Sequence, residues 1–144
     1  VNLVNARLLA RERGLEVTEV RGEEAEGFGH LITLRAATSA GPFLVSGAVM
    51  RGQPHIVRVG DYWFDFRAAG DLLLSEHVEQ PGIIGQMGGL LGELGVSIAF
   101  VQVGRQERGG LGLMILGLDD PLDAAGLARV MALPTIRSAH MVRL

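Results

Sequence analysis

The residues best placed to do chemistry stand between two elements. Leu72-Leu73-Leu74 reads as a buried strand, His77-Val78-Glu79-Gln80 as its polar end and Pro81-Gly82 as a break, and a helical pattern begins at once with Ile83. A strand, tight turn and helix in succession leave the first N–H groups of the helix without internal partners, at the positive end of the helix dipole. Gly82 has no side chain to hold a ligand away from those groups, and the fixed φ of Pro81 suits an entry turn. The chemistry on offer is capture of a small carboxylate or phosphate. Glu79 beside the turn is either an acceptor for an amino group or an ordinary acid favouring a helix start.

The element that must position this turn is the helix after it. Ile83, Ile84, Met87, Leu90, Leu91 and Leu94 form a stripe that packs on one side, and Gly95 stops the helix. Its other face holds Gly85, Gly88, Gly89 and Gly92, each costing roughly 1 kcal/mol against alanine in a helix interior. Such a face implies close approach of a partner helix or ligand, or else a permissive buried helix.

Composition bounds the function. The 144 residues suffice for one domain or two small ones, and 48% are apolar. No apolar run approaches the ~20 residues of a membrane span, and no signal peptide is legible. The absence of cysteine removes thiolate chemistry and disulfides and fits a cytoplasmic protein. Lysine is absent too, which excludes Schiff bases and a P-loop. A formal charge of −3 and a pI near 5.8 give no nucleic-acid footprint. The opening Val1, already in an amphipathic pattern, suggests a piece of a longer protein.

Taken in order, Asn2 to Arg13 repeats apolar residues at helical spacing, with Gly14 following as a C′ residue. Leu15, Val17 and Val20 approximate strand alternation before a Gly-containing turn from Gly22 to Gly29. Strands are predicted at Leu31–Ala36, Phe43–Met50, His55–Val59 and Tyr62–Phe66, the last two as a hairpin with a Gly60-Asp61 loop. Ala68-Ala69-Gly70 marks a boundary, so residues 1–68 and 71–144 are expected to form separate cores. Strands at Ser97–Val103 and Leu113–Leu118 follow the central helix. Asp119-Asp120-Pro121 then starts a third helix, with proline at N1 and with Leu122, Leu127, Val130 and Met131 facing inward. Ile136–Leu144 is a last strand. The fold class is therefore α+β: a ferredoxin-like βαββαβ unit preceded by a small α+β domain with a mostly antiparallel sheet.

Leu73 through Gly85, with Leu90-Leu91-Gly92 and Gly95-Val96-Ser97-Ile98, resembles an ACT domain, a small-molecule-sensing βαββαβ unit. The Pro-Gly pair and the Gly-Val-X-Ile step are its most specific marks. Val1 to Ala6 and the Ile56-to-Tyr62 hairpin resemble the intervening domain of long-form D-3-phosphoglycerate dehydrogenases. That resemblance implies an oligomeric regulatory region in which L-serine binds between two subunits and lowers activity at a remote site, with NAD held by an amino-terminal part absent here. Carried over by position, His77, Glu79 and Ser97 would face the ligand, and the backbone of Pro81, Gly82, Ile83 and Ile84 would hold its carboxylate. Many serine-sensing members have Asn or Asp at the position of Glu79 and Asn at that of Ser97. Serine there keeps a hydroxyl but lacks the amide's donor and acceptor pair. Arg67 matches a basic position associated with anion binding.

Each candidate has a plainer reading. His77 is otherwise a surface residue, Ser97 a structural residue at a sheet edge, and Arg67 a solvated linker charge. His30, His55 and His140 lack the spacing of metal ligands, and no catalytic residue is legible. The competing functions are an amino-acid-binding regulatory region, the same kind of unit serving subunit assembly or another ligand, and an RNA-binding βαββαβ domain. The last requires exposed aromatics on the central strands, where only Phe100 stands.

Overall fold

Burial along the strand Asp71–Val78 (β5) explains the organisation, because Leu72, Leu73, Ser75 and His77 are all buried and so both faces of the strand must be covered. The computed structural model describes residues 5–22, 27–39 and 41–144. Ahead of β5 lie a helix Ala6–Glu12 (α1) and strands Ile32–Thr38 (β1), Gly41–Met50 (β2), Gln53–Val59 (β3) and Tyr62–Arg67 (β4). After it come Ile83–Glu93 (α2), Ile98–Arg105 (β6), Leu111–Leu118 (β7), Ala124–Met131 (α3) and Ile136–Arg143 (β8). They form two four-stranded antiparallel sheets, β1-β2-β3-β4 and β6-β7-β5-β8. The second order, with both helices on one face, is the split βαβ arrangement expected of an ACT-type domain.

On the helix face, Leu73, Met114, Leu116 and Ala139 pack beneath Ile83, Met87, Leu90 and Leu91 of α2 and Val130 of α3. Each large side chain buried there contributes about 1.5–3 kcal/mol. The opposite face has a second cluster: Leu72 and Ile115 bury against Val59 and Phe66 of the first sheet, with Phe64 and Phe100 around them. Phe66 and Phe100 stack at 5.7 Å. The Gln102 carboxamide spans the same gap, accepting from Asp65 N at 2.9 Å and donating to Asp65 O, which satisfies the free edge of β4. Gly104 must be small here, since a Cβ would lie 2.9 Å from Tyr62 Cβ.

Two separate cores were expected, and the shared cluster corrects that: Val59 and Phe66 lie before Ala69-Gly70, yet they bury against residues after it. The joint itself is tied down, because Gly70 and Leu144 exchange both backbone hydrogen bonds, at 3.2 and 3.0 Å.

Several local expectations also change. Residues 15–22 form no strand, and Leu15, Val17 and Val20 are exposed, because the first sheet begins only at Ile32 and offers them no partner. The helix predicted from Asn2 is described from Ala6, and its residues 2–4 lie outside the described residues, as do 23–26 of the predicted Gly22–Gly29 turn. The cap of α3 is Asp123, whose Oδ1 accepts from Gly126 N at 2.7 Å, so Pro121 precedes the helix instead of opening it. Met131 is exposed because it lies 100° around α3 from fully buried Val130. Ile84, at the rim of its stripe in the first turn of α2, is 52% exposed.

Candidate functional site

β5 ends in Val78 and the chain reaches α2 in four residues, so backbone geometry alone holds the turn against the end of the sheet. Gly82 is the N-cap with φ 91°, a left-handed backbone that favours glycine. It offers no side-chain cap, and the first-turn amides of Ile84 and Gly85 find no backbone acceptor among the described residues. Pro81, Gly82 and Ile84 are exposed, whereas Ile83 is in the core. The helix start is therefore open to solvent, with N–H groups to spare.

His77 is fully buried on the helix side of β5, opposite Gly112 of β7, so it is not a surface histidine. The ring lies across Gly112, where a Cβ would come 2.8 Å from its Nε2. Nδ1 is 3.5 Å from Ser75 O, at the limit of a hydrogen bond, and Nε2 has no partner among the described residues. Ser75 Oγ and Thr135 Oγ1 are also buried without partners. Ser75 shares the His77 face of β5, and Thr135 precedes Ile136, the β8 partner of His77. Three such groups at one end of one layer are unusual, since each costs about 1–3 kcal/mol when unsatisfied.

Glu79 is engaged. Its Oε1 accepts from Arg105 Nη1 at 2.5 Å and its Oε2 from Gly109 N at 2.7 Å, while Glu79 N donates to Gly110 O at 2.8 Å. The residue thus pins the β6–β7 loop to the end of β5. The Gly109 amide, helped by Arg105, holds the Glu79 carboxyl below its ordinary range. Each Glu79 oxygen already accepts one of these donors, so an arriving amino group would have to share the carboxylate with Arg105 and Gly109.

Ser97 is exposed and lies elsewhere. Ile98 of β6 pairs with Leu118, and Leu118 with Asp71, so Ser97 sits at the Asp71 end of the sheet. Six residues of strand, about 20 Å, separate that end from His77. One chain brings His77 and the helix start together but not Ser97. Arg67 is exposed at the end of β4, paired in register with His55, whose Nδ1 lies 2.5 Å from Asp65 Oδ1. It belongs to the first sheet and does not reach the α2 turn.

Comparison with known proteins gives one family-model match and several alignments over the full chain. Residues 1–60 match the family model described as the D-3-phosphoglycerate dehydrogenase intervening domain. The whole chain aligns with D-3-phosphoglycerate dehydrogenase of Methanocaldococcus jannaschii at 33% identity, with that of Synechocystis at 35% and with that of Bacillus subtilis at 31%. The chain belongs with the carboxy-terminal region of D-3-phosphoglycerate dehydrogenases. It spans about a quarter of the length of these relatives, 27, 26 and 28% respectively.

A dinucleotide does not fit these residues. The β5–α2 turn carries one glycine, at Gly82, and its sheet is antiparallel, whereas a dinucleotide fold needs a glycine-rich turn within a parallel sheet. No helix among the described residues is long and apolar enough to cross a membrane. Sequence reasoning missed Ser75, Arg105, Gly109, Gly112 and Thr135. Gly112 alone left a signal, as a glycine in a strand interior, which commonly marks close approach.

Proposed function

We propose that this chain is the regulatory, amino-acid-binding and oligomer-forming region of a D-3-phosphoglycerate dehydrogenase, with L-serine as its effector at the α2 turn. The observation that carries the reading is fully buried His77, whose Nε2 lacks a partner on the strand that leads into an uncapped helix start. In this reading the effector carboxylate meets the amides after Pro81, and His77 or its neighbours meet the effector's polar side chain. The ammonium shares the Glu79 carboxylate with Arg105 and Gly109. Ser97, about 20 Å away along the sheet, would come from a second copy, whose approach the open glycine face of α2 permits: a Cβ added at Gly85, Gly88, Gly89 or Gly92 meets nothing within 4 Å. The NAD chemistry of the enzyme would lie on residues outside these 144.

Calorimetric titration with a panel of amino acids, L-serine first, tests this. Glu79→Ala should weaken serine binding by about 30-fold or more, as expected for an ammonium left unpaired, whereas Arg67→Ala should change it less than a few fold. Sedimentation at micromolar concentration should show a dimer or larger. The engaged state of Glu79 favours a second reading, an assembly unit without serine control. Tight self-association with no serine heat would establish it, and a clean monomer would sink both.

A further inference from the structure

The face of the carboxy-terminal sheet turned away from α2 and α3 is only partly covered by the first sheet, and a groove of about 890 Å³ remains between them. Its floor includes Leu74 and Glu76 of β5, Leu113 of β7 and His140 of β8. Phe43 and Tyr62 close it from the first sheet, while Asp61 and Glu107 stand in the loops at its rim. No arginine lines it.

The charges are unbalanced. Asp61 has Arg58 at 3.9 Å, but neither Glu76 nor Glu107 has an ion-pair partner among the described residues. The same charges act on Tyr62, whose phenol is pushed above its ordinary range first by burial and then by Glu76 and Asp61. Tyr62 is also fixed, its hydroxyl donating to Leu111 O at 3.2 Å. A carboxylate finds no arginine on the walls, with His140 as the one basic lining side chain, and a neutral apolar ligand leaves Glu76 facing it without compensation. A positive head on an apolar body satisfies both the acid and the walls formed by Leu74, Leu113 and Phe43.

We propose that this groove binds a small organic cation, an ammonium or guanidinium carried on an apolar body, with Glu76 as its counter-ion. The groove lies on the opposite sheet face from the α2 turn, so neither claim depends on the other.

The test uses three compounds of one shape: benzylamine, benzyl alcohol and benzoate, titrated at pH 7 into the isotopically labelled 144-residue chain and followed by heteronuclear NMR. Benzylamine should give saturable shifts at Tyr62, Leu74 and Leu113, benzyl alcohol should bind about fivefold more weakly, and benzoate should give none, a difference typical of one partly exposed ion pair. Glu76→Gln should weaken benzylamine about fivefold and leave benzyl alcohol unchanged, and Glu93→Gln, on the helix face, should change neither. Equal binding of amine and alcohol, indifference of the amine to Glu76→Gln, shifts confined to other residues, or no saturable shift at all would overturn the proposal. So would loss of self-association in Glu76→Gln without any response to benzylamine, which would give the groove to a second copy of the chain.

Discussion

Each half of the chain builds a four-stranded antiparallel sheet, but α2 and α3 close the carboxy-terminal one, whereas α1 buries none of its residues and leaves Leu8 60% exposed. On β1, Ile32 and Leu34 are 80% and 63% exposed. The first sheet takes much of its burial from its neighbour, through Val59 and Phe66 against Leu72 and Ile115. The same strand periodicity thus yields a self-sufficient core in one half and a dependent one in the other. What separates them is whether helices with an apolar stripe are at hand to cover a face.

The largest effect should come from the helix-covered core. Leu91→Ala, at a fully buried position, should cost about 2–5 kcal/mol in urea unfolding, whereas Leu8→Ala should fall within about 0.5 kcal/mol. Comparable losses would mean that α1 is packed as firmly as α2, and the comparison would collapse.

Phe100→Ala sharpens the dependence of one sheet on the other. The ring stacks on Phe66, and its loss should cost about 2–3 kcal/mol. The telling readout is hydrogen exchange, because amides of β3 and β4 should lose protection along with those of β6. Protection lost in β6 alone would show two independent sheets.

Gly112→Ala probes the polar end of the core. The new Cβ would crowd His77 Nε2 and lie 3.2 Å from Gly104 O, so a loss of about 1–3 kcal/mol is expected, together with a shifted His77 ring resonance. An unshifted ring would mean that His77 does not rest on Gly112.

The smallest effect concerns acid. Because folding depresses the Glu79 pKa, its contribution is present above the unfolded-state value and is lost as pH falls through the folded one. The difference in melting temperature between wild type and Glu79→Gln should therefore be greatest near neutrality and shrink in acid. A gap that stayed constant or widened as pH fell would contradict the clamp on the β6–β7 loop.

Much of this architecture was legible because it rests on local periodicity and breakers. The eight predicted strands after residue 30 all formed, Gly14 and Gly95 took positive φ at the ends of α1 and α2, and the Pro81-Gly82 turn opened α2 as the residue types required. Leu15–Val20 misled for the converse reason, since alternation makes a strand only where a partner edge exists. Capping was legible in kind but not in place: three aspartates precede α3, and packing of Leu122 over Gly126 selects Asp123.

By itself, then, the sequence determined the element order after residue 30, the split βαβ topology and the helix-start geometry at Gly82, which depend on neighbours along the chain, and, through composition, the exclusion of thiol and lysine chemistry. Only the tertiary structure decided that His77 is buried over Gly112, that Glu79 is held by Arg105 and Gly109, that Ser97 lies at the far end of the sheet, and that Phe66 and Phe100 join two halves into a shared core. Those contacts link residues 26 to 35 positions apart, and strand register with sheet packing, which no local pattern encodes, sets which side chains meet across such separations.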